Sequence, residues 1–405
     1  MNFNELHSIQ KNKHYKEFIE ANIDADTNKL RLKKFRETSF DIKFAILQID
    51  CKKRIKKKLP EIYQSDSFLF PNILSTEQCT AEKIAKFHAS LLNPQDSVLD
   101  MTAGLCIDTY YLSKTAKSIT AIEINSETAL IADFNMRNNT NNVTVICKDC
   151  IEYIKNDNKL HYDVIFIDPA RRGDNNKRLF GLSDCNPNII ELIPFLKPIA
   201  KVLYIKASPM IDITKSIDEL NCYVSDVWVI GISNECKELL FKIELNNTKT
   251  TETAIHTLNF DNSQIQVLSK TTKKQQSSKI YSLDKSSYLY EPNSCVMKAQ
   301  IFDTLEHTYN VSNIQKNSHL FVSEEYCEDF PGRKFHIINI IPFKSNEIKN
   351  INKKHPQINV SVRNFRLSAE ELKKKLKVRD GGNEYLFGTT DCNNNAILIV
   401  CSKIL

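Results

Sequence analysis

Short apolar runs alternate with helical patterns through the middle of the chain. They are rich in β-branched residues and lie at "SVLD" (97–100), "SITAIE" (118–123), "VTVIC" (143–147), "DVIFID" (163–168) and "KVLYIK" (201–206). Strands that are apolar almost throughout and are separated by helices indicate a parallel sheet covered on both faces. We therefore predict an α/β domain over residues 71–247.

Two more apolar runs follow almost directly, "YVSDVWVIG" (223–231) and "ELLFKIEL" (238–245). The segment "ISNECK" between them is too short for a crossover helix, so the pair is predicted to be an antiparallel hairpin. Five parallel strands closed by this hairpin predict a Rossmann-like, seven-stranded sheet.

The chain has a different pattern on either side of this sheet. Residues 1–70 carry apolar side chains at helical spacing among many charges, which predicts a helical N-terminal region. Residues 248–280 are rich in Thr, Lys, Gln and Ser and are predicted to be a hairpin or linker. Beyond them, predicted strands alternate with two predicted helices. One helix covers "SCVMKAQIFDTLEHTY", and the other begins with a capping box formed by Ser368 and Glu371. This pattern predicts small α/β modules.

Length, charge and cysteine content narrow the class of protein. A chain of 405 residues is expected to form two or three domains. A net charge of +6 permits an acidic partner such as RNA without requiring one. The polar N-terminus and the absence of long apolar runs predict a cytoplasmic protein without membrane association. Its twelve cysteines are then expected to be reduced. We predict no metal site, because Cys147 and Cys150 lack a second pair, and we expect His88 to be structural.

The residues that follow the strands carry the candidate chemistry, because ligands of open parallel sheets bind outside the carboxyl ends of the strands. The first run leads into "DMTAGLCID" (100–108), where Asp100 and Thr102 leave the strand and Gly104 permits a tight turn. A dinucleotide fingerprint would need further glycines, and Cys106 stands where the second would be. This favours a ligand without a pyrophosphate.

Acidic residues end the next two runs. Glu123 follows Gly104 by 19 residues, a spacing that favours binding of ribose hydroxyls over a purely helix-capping role. Asp149 follows the third run, where it could accept a hydrogen bond from an adenine amino group. Acids are common before helices, so Asp149 is the weaker candidate of the two.

These segments resemble a known family. "VLDMTAGLCID", "AIEIN", "CKDCIEYI" and "VIFIDPARRG" resemble the ordered motifs of class I S-adenosylmethionine-dependent methyltransferases. "KKKLPEI", "STEQCTAEKIAKFHA", "IKASPMIDI", "YLYEPN", "FPGRKF" and "VRNF" resemble a narrower bacterial group with a C-terminal THUMP-like domain. The resemblance covers nearly the whole chain. It implies a small ferredoxin-like module over 281–325 and a THUMP-like domain over 326–405. Cys106 departs from the family, which has glycine there.

The resemblance implies S-adenosyl-L-methionine as the cofactor. It places Gly104 against the methionine moiety, Glu123 on the ribose and Asp149 on the adenine. It adds further candidate cofactor contacts, which are Gln78, Asp100, Thr102, Ile124 and Cys150. The implied reaction is methyl transfer to an RNA base (EC 2.1.1.-), with tRNA or rRNA as the partner, since THUMP domains bind RNA. The lysine-rich helix over 373–377 is the expected RNA contact.

The segment "VIFIDPARRG" (164–173) supplies the candidate catalytic residues. Asp168 would lie beside the methyl donor, and Pro169 stops the strand and can turn its carbonyl toward the target. Amino-directed base methyltransferases have a second proline and an aromatic residue in this turn, where this chain has Ala170 and Arg171. The methylated atom therefore stays open. Arg171 and Arg172 suit phosphate binding, although ion pairing with Asp168 is the alternative.

"SDCNP" (183–187) is similar to the Ser-Cys-Asn-Pro of uridine-C5 methyltransferases. In this chain Cys185 precedes the fifth strand, and Asn186-Pro187 is predicted to start a helix, so we expect no covalent role.

Two other classes of function remain open. The chain could methylate a protein or small molecule, with its C-terminal part as a substrate lid. It could also be a non-catalytic RNA-binding protein whose cofactor pocket has degenerated at Cys106.

Overall fold

A computed structural model describes residues 1–35, 38–156, 160–171, 181–220, 224–246, 253–261, 264–270, 283 and 286–404. The chain divides into two compact units, one formed by residues 1–225 and 240–250 and the other by residues 226–239 and 251–405. Each unit is described by itself below.

Seven helices open the first unit, and short polar residues such as Asn2, Asn12, Asp26 and Asp41 cap the N-termini of four of them. The helices are α1 (Phe3–Lys11), α2 (Lys13–Asn22), α3 (Thr27–Leu32), α4 (Ile42–Ile55), α5 (Pro60–Gln64), α6 (Ile73–Gln78) and α7 (Glu82–Ser90). Pro60 lies at the first turn of α5, where a missing N–H costs little.

Strands and helices then alternate through the rest of this unit. The strands are β1 (Ser97–Asp100), β2 (Ser118–Glu123), β3 (Val143–Cys147), β4 (Tyr162–Ile167), the short β5 (Ala170–Arg171) and β6 (Cys185–Asn186), and β7 (Ala200–Ala207). The helices are α8 (Ile107–Leu112), α9 (Ser126–Asn139), α10 (Cys150–Lys155), α11 (Ile189–Leu196) and α12 (Ile213–Glu219), with a short 3₁₀ turn at Leu182–Asp184. The N-terminal helices share an apolar core with Ile131 and Phe134 of α9.

The strand order creates a switch point in the sheet. β1 pairs in parallel with both β2 and β4, β2 with β3, and β4 with β7. The chain therefore moves outward in one direction from β1 to β3 and in the other from β4 to β7. The carboxyl ends of β1 and β4 flank the point of reversal, which is where open α/β sheets bind ligands.

The predicted count of seven strands is wrong, because the sheet has nine described strands. Its order is β11-β10-β8-β9-β7-β4-β1-β2-β3, with β8 (Val224–Ile232), β9 (Glu235–Glu244), β10 (Ala254–Asp261) and β11 (Gln264–Lys270). β10 and β11 form an antiparallel pair within the segment predicted to be a hairpin or linker. β11 is an edge strand, and four of its seven residues are polar, so its sequence does not stand out as a strand.

Two predicted helices also differ from the structure. The helix after "SDCNP" begins at Ile189 with Asn188 as its N-cap, since Asn186 pairs with Ala170 in the β5–β6 ladder. The single helix predicted over residues 294–309 is two helices, because Gln300 adopts a left-handed conformation that ends the first one.

The second unit also contains a sheet of seven strands in the order β13-β14-β12-β15-β18-β17-β16. They are β12 (Tyr288–Pro292), β13 (Ser312–Asn313), β14 (Phe321–Ser323), β15 (Gly332–Pro342), β16 (Asn359–Val362), β17 (Glu384–Thr390) and β18 (Ala396–Lys403). The helices are α13 (Ser294–Ala299), α14 (Phe302–Tyr309), α15 (Ser345–Ile348), α16 (Ile351–Lys354) and α17 (Ala369–Leu376). The predicted capping box of Ser368 and Glu371 at α17 is confirmed.

Two apolar clusters stabilise this second sheet. One cluster contains Phe335, Phe387 and Ile399, and the other packs Leu372 and Leu376 of α17 against Leu398. Within the described parts of the chain, no helix has the length and apolarity that a bilayer span requires.

Candidate active site

A cavity of about 170 Å³ opens at the carboxyl ends of β1 and β4, in the first unit. Residues from the α6–α7 junction, the turn after β1, α8, β4 and β7 line it. They are Ser75, Gln78, Cys79, Thr80, Asp100, Thr102, Ala103, Gly104, Leu105, Ile107, Asp108, Phe166, Asp168 and Lys206. The cavity therefore brings together five of the predicted site residues, which are Gln78, Asp100, Thr102, Gly104 and Asp168.

The turn after β1 holds one wall of the cavity in place. Gly104 has a φ of +53°, a conformation that favours glycine, and its N–H donates to Oε2 of Glu123 at 2.9 Å. The other oxygen of Glu123 accepts the N–H of Asn125 at 2.7 Å. Two backbone donors thus fix the orientation of the Glu123 carboxylate beside Gly104.

Cys106, the departure from the family glycine, does not line the cavity. Its φ of 62° lies in the left-handed region, which favours glycine, the residue that the methyltransferase family has at this position. The side chain is fully buried, and burial raises the pKa of the thiol. The thiol is therefore a neutral packing group behind the turn.

Asp100 is buried at the end of β1. Its carboxylate accepts hydrogen bonds from Oγ1 of Thr109 at 2.6 Å and from the N–H of Thr102 at 3.3 Å. Burial is the largest effect on this group and raises the pKa of Asp100 to about 7, with the charge of Asp108 acting in the same direction. The side chain is consequently divided between its neutral and ionised forms near neutral pH.

Lys206, at the end of β7, lies at the centre of a buried ion network. Its Nζ donates to Oδ2 of Asp168 at 2.8 Å, to Oδ2 of Asp108 at 2.9 Å and to Oγ1 of Thr80 at 2.7 Å. The Lys206 side chain is only 7% exposed, whereas that of Asp168 is 51% exposed. The ammonium therefore ties the exposed Asp168 carboxylate to the protein interior.

Asp108 forms the inner half of this network. Oδ1 contacts Nδ1 of His88 at 2.8 Å, and Oδ2 accepts from Thr80 at 2.5 Å. Burial alone would raise the pKa of Asp108, but Lys206, His88 and Thr80 outweigh it and hold that pKa well below its usual range. Asp108 is ionised at neutral pH as a result.

Asp168 begins a sharp exit from β4. Its N–H donates to Oγ1 of Thr102 at 2.7 Å, which joins the ends of β4 and β1. The following residue, Pro169, is buried. Among the side chains that the structure describes, Asp168 pairs with Lys206 rather than with an arginine. Arg172 and the side chain of Arg171 lie outside the described residues.

Four predicted cofactor contacts lie outside the cavity lining, at the ends of the neighbouring strands, and Glu123 beside Gly104 is one of them. Ile124 is exposed directly after β2. Asp149 caps α10, and its Oδ1 accepts the N–H groups of Ile151 at 2.8 Å and Glu152 at 3.0 Å. Cys150 opens the same helix and is half-buried. The N–H of Lys148 donates to the carbonyl of Glu123 at 3.1 Å, so the two strand ends are adjacent.

Lys206 and Asp108 were not among the predicted site residues. A weak signal existed for Lys206, because a lysine ends the apolar run "KVLYIK" at the edge where ligands bind. Asp108 lies in the first turn of α8, where an acid is ordinary, and only the fold brings it to Lys206. No group of metal-ligating side chains occurs among the described residues.

Comparisons with known proteins agree with this architecture. Residues 288–331 match the model of a ferredoxin-like domain, and residues 332–403 match that of a THUMP domain-like family. A crystal structure from Porphyromonas gingivalis W83, described as a candidate methyltransferase, is 29% identical and covers 100% of both chains with a TM-score of 0.87.

A second relative is an uncharacterized RNA methyltransferase of Mycoplasma mobile, 34% identical over 121 residues. That match spans 30% of this chain and 30% of the relative's own length. The full-length structural match, the THUMP domain-like segment and the RNA methyltransferase relative together show that the chain is an S-adenosylmethionine-dependent methyltransferase with a C-terminal THUMP-like domain.

Proposed function

We propose that this protein transfers a methyl group from S-adenosyl-L-methionine to a base of tRNA or rRNA. The observation that carries the proposal is the cavity at the switch point, where the end of β1 supplies a glycine turn and the end of β4 supplies an exposed carboxylate held by Lys206. The match to the THUMP domain-like family and the name of the Mycoplasma mobile relative support RNA as the acceptor.

The cavity suits the cofactor in space and in charge. A Cβ placed on Gly104 would meet no protein atom within 4 Å, so room exists directly beside the backbone. Three carboxylates, those of Asp100, Asp108 and Asp168, line the cavity against the single ammonium of Lys206. This surplus of negative charge favours a cationic ligand, and S-adenosylmethionine is a sulfonium.

Residues at three successive strand ends would each hold one part of the cofactor. Gly104 would lie against the methionine moiety and the fixed carboxylate of Glu123 would accept the ribose hydroxyls. Asp149 would accept from the adenine amino group. Other side chains complete the pocket, namely Gln78, Asp100, Thr102, Ile124 and Cys150. The bound cofactor supplies an electrophilic methyl group, so the protein's own work is positioning and proton removal.

Asp168 is the group placed to receive the proton that the acceptor loses on methylation. Its Oδ2 is held by Lys206, and its Oδ1 makes no hydrogen bond to a residue that the structure describes. That free oxygen can accept a hydrogen bond from an N–H or O–H of the target nucleotide. Pro169 would present its carbonyl beside it, and Arg171 would bind a neighbouring phosphate. Lys206 positions Asp168 and does not itself touch the acceptor.

Asp168→Asn tests this assignment. We expect methyl incorporation from labelled cofactor into bulk RNA to fall by at least about a hundredfold, the usual size of a general-base contribution. The affinity for S-adenosylhomocysteine, measured by calorimetry, should stay within a few fold. Asp163→Asn is the matched control, because Asp163 lies on the same strand but pairs with Lys201 at the opposite end, and it should retain turnover.

Two outcomes would contradict the proposal in different ways. A folded Asp168→Asn protein that methylates normally would remove Asp168 as the base. Nucleoside mass spectrometry that finds the same modified bases in RNA from cells with and without this gene would remove RNA as the substrate.

A further inference from the structure

Three charged side chains, two from neighbouring strands and one from just beyond a third strand, meet in the second unit. Glu291 lies on β12 and is only 4% exposed. Arg333 lies directly opposite it on β15, and Arg363 follows the last residue of β16. A buried carboxylate thus has two arginines within reach.

Each oxygen of the Glu291 carboxylate binds one guanidinium. Nε of Arg333 donates to Oε2 at 2.5 Å, and Nη2 of the same side chain contacts that oxygen as well. Nη2 of Arg363 donates to Oε1 at 2.5 Å. Arginine stays charged at any physiological pH, so the three groups carry a fixed net charge of about +1.

The two guanidinium groups retain unused donors. Nη1 of Arg333 and the buried Nε of Arg363 make no hydrogen bond to the residues that the structure describes. Their side chains are 32% and 40% exposed, so solvent and ligands can reach them. Orphaned buried donors are rare in folded proteins and call for an acceptor.

Aromatic rings flank Arg333, and a neutral histidine lies near Arg363. The guanidinium of Arg333 lies 5.5 Å from the ring centre of Phe335 and 5.6 Å from that of Tyr385. Burial, followed by the charge of Arg363, lowers the pKa of His319, so that ring is neutral at neutral pH. Nδ1 of His319 is also buried and finds no hydrogen-bond partner within the described part of the chain, so a second unsatisfied polar atom lies near Arg363.

We propose that Arg333 and Arg363 form an anion site that binds a backbone phosphate of the RNA substrate, an inference that rests on the RNA methylation proposed above. Guanidinium forks match phosphate oxygens in geometry, and pre-ordered forks lose little freedom on binding. The lysine-rich helix α17 is the less prepared surface, because Lys373 already bonds to Asp380 at 2.6 Å and contacts Glu370.

The test measures binding of labelled bulk tRNA to the full chain over a range of salt concentrations. Arg333→Gln and Arg363→Gln should each weaken tRNA binding roughly tenfold near physiological salt. Each should also reduce the slope of log affinity against log salt by about 0.7–0.9, the value for one lost phosphate contact. Arg137→Gln is the matched control, since that arginine also binds a carboxylate, Asp133 at 2.9 Å, but lies in the first unit.

A chemical footprint on the wild-type protein removes the dependence on folded variants. Phenylglyoxal should modify Arg333 and Arg363 more slowly when tRNA is bound, while the modification of Arg137 should not change. Equal modification with and without tRNA would overturn the site. So would folded variants that keep both the affinity and the salt slope.

Failure of the site can be told apart from failure of the proposed function. If both variants still methylate RNA with unaltered KM, the anion site is refuted and the methyltransferase assignment stands. If the wild-type protein binds neither tRNA nor rRNA, the RNA substrate fails and the anion site fails with it. Cofactor affinity is expected to be unchanged in every variant.

Discussion

Lys206→Met is the substitution that tests the ion network most directly, because it removes the ammonium and keeps most of the stem. Lys206 lies 2.9 Å from Asp108 and 2.8 Å from Asp168. At an effective dielectric constant of about 20, each contact has a gross Coulomb energy of about 6 kcal/mol, most of which offsets desolvation. The larger effect of the substitution is the charge that it leaves behind.

Asp108 would be that uncompensated charge. Its side chain is only 14% exposed, and His88 and Thr80 would be its remaining partners. Removing one member of a buried pair costs about 3–5 kcal/mol. Asp168 is half exposed and should add little. We therefore expect Lys206→Met to lose about 3–5 kcal/mol of unfolding free energy.

Urea unfolding followed by circular dichroism measures this loss, and the chain offers a matched control on the same strand. Lys201 pairs with Asp163 at 2.7 Å but is exposed, so Lys201→Met should change stability far less. Adding Asp108→Asn to Lys206→Met should recover part of the loss, with a coupling energy of about 1–3 kcal/mol. The ion network would not stabilise the fold as a unit if Lys206→Met were no more destabilising than Lys201→Met. A coupling energy below about 0.5 kcal/mol would lead to the same conclusion.

Three further predictions concern single residues around the site. Glu123→Ala should weaken S-adenosylhomocysteine binding by about 1–3 kcal/mol in calorimetry, and unchanged affinity in the folded variant would remove Glu123 from the pocket. Burial raises the pKa of Asp100 to about 7, above the ordinary value of about 3.9. Asp100 therefore contributes roughly 4 kcal/mol to the unfolding free energy below about pH 4, and this contribution is lost as the pH rises to about 7. The stability of Asp100→Asn relative to wild type should therefore rise between about pH 4 and about pH 7 in urea titrations, and a flat difference would contradict the burial argument. Cys185 is buried on β6, so Cys185→Ser should keep methyl transfer within about an order of magnitude, and a denaturation-resistant adduct of the wild type with 5-fluoro-substituted RNA would refute this.

The parallel core of the sheet could be predicted from the sequence because its strands are short, mostly apolar runs, and β1, β4 and β7 are buried along most of their length. The runs at 97–100, 118–123 and 143–147 coincide with β1, β2 and β3. β4 and β7 differ from the predictions by one residue at each end. Continuous apolar character is a local property, so no knowledge of the partner strands is needed to recognise such elements.

The edge strands and the ion network depended on long-range contacts that a local pattern does not carry. β10 and β11 contain at least as many polar as apolar residues, so the pattern left a hairpin and a linker equally open and gave no strand boundaries. Lys206 and Asp108 are 98 residues apart in the chain, and each looks ordinary in its own segment. The glycine turn with Glu123 was predictable because its spacing of 19 residues is built into the strand-helix-strand unit.

The cavity contains three carboxylates whose surroundings give them different roles. Asp100 is buried, and no cation among the described residues forms a hydrogen bond with it. Its pKa therefore rises to about 7, and the carboxyl group is partly neutral at physiological pH. Asp108 is buried with Lys206 and His88, so its pKa falls and its two oxygens are already occupied. Asp168 is the one of the three with an exposed side chain and an oxygen left open toward the cavity. A group that must accept a proton has to be ionised, reachable and not fully hydrogen-bonded, and among these three carboxylates only Asp168 meets the last two conditions together. Lys206 fixes the position of the Asp168 carboxylate, because the same ammonium binds Asp108 in the interior and Asp168 at the end of β4.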